Sequence, residues 1–340
     1  MQAAVLESPG SIVLAEHPEP PDPGPGEVLV GVRRVGICGT DHHAYGGTQN
    51  FFAYPRVLGH ELAVEVLAVG AGVTRVAPGH FCAALPYLSC GGCRACDRHR
   101  TNCCERIDVL GVTLDGGLRE RMIVPAEHLF DGEGLTLDQL VLVETLGIGW
   151  HAVARARPEP DDRVLVLGAG PIGLAVAQAA RTRVEHLLVA DVSADRVAFA
   201  AASGLDTALV DDEFATSVLD LNGGALPSLV FDATGSRASM EAAFGLTGPC
   251  GTLVLVGHTT GSLTFRNPLF HARELDVRAS RNATVEDWTA VIGAVRDGTI
   301  DALGWINHRT TLGGIVDDLP RLAADPGGVV KTVVEIGPAP

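Results

Sequence analysis

The chain has 340 residues, 46% hydrophobic and 19% charged, which rules out a disordered polymer and is enough for buried cores. At about 100–200 residues per domain the length points to two domains. Lys and Arg number 25 against 41 Asp and Glu, a net charge of −16 that repels phosphate backbones and anionic lipid and so argues against nucleic acid and membrane surfaces as partners. Lys331 is the only lysine, which excludes a phosphate-cradling Walker lysine and leaves Schiff-base chemistry that single residue.

Met1–Pro20 has neither a basic start nor an apolar run of the length an export signal needs, so a cytoplasmic protein is expected. Residues 1 to about 145 read as short β-rich segments, among them Glu27–Val32, Glu61–Val69 and Arg121–Val124, with Pro18–Gly26 as an exposed turn region. After Pro158, Pro160, Asp161 and Asp162 the pattern changes. Strands are expected at Val164–Leu167, Leu187–Ala190, Thr207–Val210, Ser228–Phe231 and Thr252–Val256. Helices are expected from Pro171, over Ala194–Ser203 and over Ser239–Leu246. This alternation indicates βαβ units and a parallel sheet, hence an α/β fold. From about Asn282 the mixed pattern returns, so the second domain is inserted between two parts of the first.

Val164–Leu167 runs directly into Gly168-Ala-Gly170-Pro171-Ile172-Gly173 and a helical stretch. A pyrophosphate needs backbone amides at a helix start, where unpaired N–H groups and the dipole favour an anion. Gly168 permits the tight turn, Gly170 the close approach of phosphates, and Gly173 the packing of helix on strand. The next strand ends in Asp191, a carboxylate placed to accept ribose hydroxyls and to repel a 2′-phosphate, which favours NAD over NADP. Arg196 is counted with these cofactor-binding residues. The apolar stretch Val164–Ala180 is marginal in length for a membrane span, and the dinucleotide turn explains its glycines better.

Cysteines crowd into one short stretch. Cys90, Cys93, Cys96 and Cys104 supply four thiolates, enough for a closed tetrahedral zinc site that stabilises a lobe with little core of its own; Cys103 could replace Cys104. Gly36-Ile-Cys38-Gly-Thr40-Asp41-His42-His43 and Gly59-His60-Glu61 bring a thiolate, imidazoles and carboxylates into the β-rich part, the donor types of a catalytic zinc that keeps one position open.

These motifs resemble the zinc-dependent medium-chain alcohol dehydrogenases, in the branch of sorbitol, threonine and butanediol dehydrogenases. The resemblance covers essentially the whole chain and includes Glu144–Leu146 with His151-Ala152. Tyr45–His60 and Ser280–Thr284 are similar to bacterial sugar-acid dehydrogenases of the L-galactonate type. The resemblance implies a GroES-like β-rich catalytic domain over 1–150 and 282–340, with a structural zinc lobe over 88–105, and an NAD-binding Rossmann domain with a doubly wound parallel sheet over 151–281. It implies two Zn²⁺ per chain and a homo-oligomer, dimer or tetramer.

The resemblance also places roles. Cys38 and His60 match zinc ligands, while Glu61 and Glu144 match two acids that share the remaining position. Thr40 matches the hydroxyl that takes the substrate proton, and His43 the outer end of the relay. Arg281 matches an arginine that touches substrate hydroxyls; Asn282, His42, Tyr45 and Phe51 are further substrate candidates, and Phe52 and Trp288 fall in stretches the family places near the pocket. Two departures stand out: Thr145 occupies the place of a proline, and Arg183 that of a glycine.

The expected reaction is reversible oxidation of a secondary alcohol with NAD⁺, in the cleft between domains. Bringing an alcohol proton from a pKa of roughly 16 to about 7 corresponds to about 12 kcal/mol, more than the roughly 3–5 kcal/mol of a proton relay. A polyol, sugar or sugar acid is the expected substrate; L-threonine or a small diol is the second reading. A zinc-free quinone reductase should lack Cys38 and His60. An NAD-sensing or scaffold protein would hold only the structural zinc.

Overall fold

The computed structural model describes residues 1–49 and 52–337. The chain divides into two compact units, Met1–Glu144 with the segment from Trp288 onward, and Thr145–Asp287.

The first unit is built on a seven-stranded sheet. Its path runs Leu129–Asp131, Phe81–Ala84, Glu61–Val69, Glu27–Ile37, Lys331–Glu335, Ile306–Thr311, with Arg121–Pro125 also paired to Glu27–Ile37. Glu27–Ile37 alternates around valines that are fully or nearly fully buried (Val28, Val30, Val32, Val35), as a strand packed on a core must. Antiparallel pairing sets Gly36 opposite Glu61, and places Thr332 opposite Ile37 on the other side. These registers carry the start of one strand and the end of another to the place where Cys38 follows. A three-stranded sheet, Ser11–Glu16, Gln2–Ser8, Arg56–Val57, covers the same core.

The second unit holds six parallel strands in the order Asp206–Leu209, His186–Asp191, Arg163–Leu167, Leu229–Asp232, Thr252–Leu255, Asp276–Ala279. This is the doubly wound Rossmann arrangement, with the first strand of the series at the centre. Val164, Leu165 and Val166 have no exposure, which is why the sequence reads as a continuous apolar run rather than an alternation. That run breaks at Gly168, and Pro171 opens a helix to Ala180 at a position where its missing N–H costs nothing. Gly173 through Ala180 are all buried. The whole apolar stretch is thus core strand plus core helix, and among the described residues no helix is long and apolar enough to cross a membrane.

The elements expected from the sequence are present, with ends moved by a few residues: Arg163–Leu167, His186–Asp191, Ala194–Ala202, Leu229–Asp232 and Arg237–Leu246. The helix Phe214–Leu221 and the edge strand Asp276–Ala279 carry no apolar run or cap strong enough to have been singled out. Arg183, in place of a glycine, lies over the Trp150 ring with its guanidinium carbon 5.5 Å from the centroid, while the helix end is closed by the Arg183 and Val184 N–H groups donating to Ala180 O at 2.8 and 3.1 Å. Thr145 follows Glu144 within the helix Val143–Ala156 and is fully buried.

An ion network ties the sheet of the first unit to the helix Leu137–Val141. Arg309 donates to both Asp138 oxygens, at 3.1 and 2.6 Å, and to Glu335 at 3.1 Å, while Arg34 approaches the same two acids. Arg309 holds the Asp138 carboxyl below its ordinary range. A depressed carboxyl contributes stability that is complete above the unfolded pKa of about 3.9 and disappears as pH falls through the folded value. Asp138→Asn is expected to lower unfolding free energy by about 0.5–1 kcal/mol at pH 7, a modest value because Arg309 is 43% exposed and water screens the pair. In urea unfolding at stepped pH, the gap from wild type should close below about pH 4.

Candidate metal and cofactor sites

Cys38 ends the strand Glu27–Ile37 and caps the helix Gly39–Tyr45. Asp41 accepts the Cys38 backbone N–H at 2.9 Å, closing the first turn and fixing where the thiol points. Glu61 begins the strand opposite, fully buried, and a Cβ at Gly36 would fall 1.9 Å from its Oε2. Only glycine at 36 lets that carboxylate lie against the neighbouring strand. His60 is 5% exposed, and its Nδ1 faces Asp41 Oδ1 at 3.8 Å. That is too long for a hydrogen bond, and both atoms are buried with no hydrogen-bond partner.

Ligand atoms of Cys38, His60 and Glu61 all lie within 4.8 Å of one another. Glu144, 4% exposed, is outside that set and accepts a hydrogen bond from the Tyr87 hydroxyl. Three carboxylates are therefore buried around one thiol and one imidazole. Burial raises the pKa of Asp41 and of Glu144. For His60, burial opposes the charged form, yet Asp41 and the Cys38 thiol raise its pKa well above the ordinary value. The lysine among them is Lys331, whose Nζ donates to Glu61 Oε1 at 2.6 Å and Oε2 at 2.8 Å and reaches Ile37 O at 3.5 Å. Three carboxyl groups and a thiol thus share one buried space with one ammonium and one imidazole. A divalent cation fits the thiol–imidazole–carboxylate donor set. An imidazole whose Nδ1 faces a carboxylate also keeps Nε2 for a metal.

The four-cysteine cluster is assembled from Cys90, Cys93, Cys96 and Cys104, with sulfurs within 4.8 Å of one another; Cys103 is exposed and outside the set. Cys93 Sγ lies 3.5 Å from Cys96 Sγ and 3.9 Å from Cys104 Sγ, too far for a disulfide. A hydrogen bond from the Gly92 amide, followed by the Arg106 guanidinium, pulls the Cys90 thiol down to about 6, as a thiolate ligand requires. The lobe's apolar core is little more than Cys93, Cys96 and Cys104 with Ala95 and Ile107.

In the second unit, Gly168 adopts φ +97°, and a Cβ on Gly173 would sit 1.7 Å from Gly168 O. The turn therefore needs glycine at both positions, for conformation at one and for close packing at the other. Asp191 is pinned at its strand end by the N–H groups of Ala169 (2.7 Å) and Ser193 (2.9 Å). Arg196 stands 3.8 Å from Asp191, with Nη1 3.9 Å from where a Gly170 Cβ would be. Pro171 and Ile172 open the helix whose amides face the turn.

Remaining candidates fall in varied places. Thr40 Oγ1 is 3.8 Å from Cys38 Sγ, and His43 Nδ1 pairs with Thr48 Oγ1 at 3.1 Å. Tyr45 packs on the core and donates its hydroxyl to Gly10 O, so its polar end serves the first hairpin. His42 is half-buried with an unpartnered Nδ1, and burial lowers its pKa. Asn282, at φ +52°, has a buried unpartnered Nδ2, and Arg281 is exposed; both belong to the second unit. Phe51 lies outside the described residues. Phe52 stacks edge-on against Tyr54, and Trp288 is fully buried against Phe130, so core packing accounts for both.

Lys331 and Tyr87 were not among the residues singled out for this site. A lone lysine inside the apolar run Val329–Val334 was the available signal, since such a side chain needs a buried acid. Nothing in the sequence around Tyr87 indicates its partner.

Residues 24–133 match the family model of the alcohol dehydrogenase GroES-like domain, and residues 171–297 that of zinc-binding dehydrogenases. The chain is 38% identical to L-galactonate-5-dehydrogenase of Escherichia coli K12, over 98% of each chain. Among solved structures it is similar to the Escherichia coli CFT073 dehydrogenase RspB complexed with NADH (30% identity, TM-score 0.90, 99% of each chain). It is also similar to a Sinorhizobium meliloti dehydrogenase bound to NADP (27% identity, TM-score 0.89, 98% of each chain).

Lys331→Met would leave Glu61 charged and buried without its cation, and is expected to cost about 3–5 kcal/mol in urea unfolding. Adding Glu61→Gln should recover part of that loss; a double variant as unstable as the sum of the two singles would contradict the pairing.

Proposed function

Because the chain belongs to the zinc-dependent medium-chain alcohol dehydrogenases, we propose that it transfers a hydride between NAD and a secondary alcohol carbon of a polyol, sugar or sugar acid. The observation that carries this reading is the convergence of Cys38, His60 and Glu61, whose ligand atoms all lie within 4.8 Å of one another. We assign the catalytic role to the unit holding them, and NAD to the unit with the glycine turn. Bound there, zinc supplies a Lewis acid that acidifies an alcohol, and NAD supplies the hydride acceptor.

The chain's own residues do the rest. Cys38, His60 and one of the two acids, Glu61 or Glu144, hold the metal; Glu61 has its oxygen in the donor set but is held by Lys331, while Glu144 is held by the Tyr87 hydroxyl. Asp41 orients both Cys38, through its backbone, and His60. Thr40 takes the substrate proton and His43 passes it outward. They lie three residues apart on one helix and so face the same side. Cys90, Cys93, Cys96 and Cys104 hold the second zinc, which is structural. The glycine turn presents amides to the pyrophosphate, and Asp191 meets the ribose, with its charge opposing a 2′-phosphate. The similarity to an enzyme named for L-galactonate supports a sugar acid or related polyol as substrate. Reduced, zinc-competent thiols fit a cytoplasmic location.

A panel of polyols, aldonates and amino alcohols with NAD⁺, followed by absorbance of the reduced cofactor, should give its highest turnover with an aldonate or polyol. Turnover with none of them would overturn the reading, and preference for L-threonine would move the substrate to the amino alcohols. Cys38→Ser is expected to abolish turnover and to reduce zinc from about two to about one per chain while NAD still binds. Asp191→Ser should shift the preference for NAD over NADP by on the order of tenfold, about 1.4 kcal/mol, in paired kcat/KM measurements.

A further inference from the structure

Tyr87 is 7% exposed, and its hydroxyl donates to Glu144 Oε1 across a sequence separation of 57 residues. A phenol differs from an ammonium in one respect that matters here. Lys331 brings a positive charge to Glu61, whereas Tyr87 brings a neutral donor that fixes where the Glu144 carboxyl group points.

The position of Tyr87 is equally informative. It lies on the strand Tyr87–Leu88, which pairs only with Asp108–Val109 among the described residues (Tyr87 opposite Val109, Leu88 opposite Asp108). Leu110 N–H extends the ladder to Pro86 O at 3.0 Å. A ribbon this short has little stability of its own. Between its two strands the chain passes through Cys90, Cys93, Cys96 and Cys104, whose lobe is almost without an apolar core. The cysteine cluster is therefore the clasp that keeps the ribbon closed, and the ribbon carries the donor to Glu144.

We propose that Tyr87 is a positioning residue that links the cysteine lobe to the Cys38–His60 metal site by holding Glu144. The inference rests on the metal reading above. Loss of a partner to a metal-site carboxylate typically weakens metal binding by about 10–100-fold. Opening the lobe would release Tyr87 and have the same effect at a distance.

The test is zinc release from the intact, zinc-loaded enzyme to a colorimetric chelator, in which the phase missing from Cys38→Ser identifies the Cys38–His60 site. Tyr87→Phe is expected to speed that phase about tenfold and to leave the lobe phase unchanged. Ile107→Ala, which loosens packing against the cysteines without removing a ligand, should speed both phases; Cys90→Ser serves as a second lobe variant. In the Tyr87→Phe background the lobe variants should speed the lobe phase alone. A Cys38–His60 phase unchanged by Tyr87→Phe would overturn the proposal, as would full acceleration of that phase by a lobe variant when the phenol is already gone. Wild-type enzyme that showed no phase dependent on Cys38 would instead undo the metal reading itself.

Discussion

Lys331 and Glu61 meet between strands that lie far apart in the sequence, and the first unit depends on their meeting. An ammonium buried at 1% exposure is tolerable only against a carboxylate, and a carboxylate with no exposure only against a cation or donors. Their contact requires Glu61–Val69 and Lys331–Glu335 to flank Glu27–Ile37 in one register, with Gly36 leaving room for the acid. A slip of one residue in either strand would turn a charge onto the wrong face. The pair thus specifies the sheet as well as the electrostatics of the site at its end.

The same pair divides the buried acids by their partners. Glu61 has its charge cancelled by Lys331, Glu144 is held by a neutral phenol, and Asp41 is held by the Cys38 backbone while facing His60. Burial without full compensation is expensive in any folded protein, and it persists where something completes the charge. In this family that something is zinc.

The second unit reaches its site by different physics. No buried charge is left without partners at the glycine turn; instead the turn is shaped by what it lacks. Gly173 lets the helix start against the Gly168 carbonyl, and Asp191 is locked by two amides at the edge of the same turn. These requirements are local in sequence, which is why the strand–turn–helix–strand order could be read before any contact was known. The helix Phe214–Leu221 and the strand Asp276–Ala279 are short and weakly patterned, and only their neighbours in the sheet give them form.

By itself the sequence determined the elements whose physics is short-range: the dinucleotide turn, the cysteine lobe, the caps and apolar runs, and the thiol and imidazole motifs of the metal site. Only the tertiary structure decided which groups share a buried space. It gathered the Cys104 sulfur, not that of Cys103, with those of Cys90, Cys93 and Cys96, set a Glu61 oxygen within 4.8 Å of the Cys38 and His60 ligand atoms, turned the Tyr45 hydroxyl to Gly10, and placed Lys331 and Tyr87 on the two acids. Such pairings join residues tens or hundreds of positions apart. They depend on strand register and on the cost of an unpaired buried charge, quantities that exist only once the chain has closed around them.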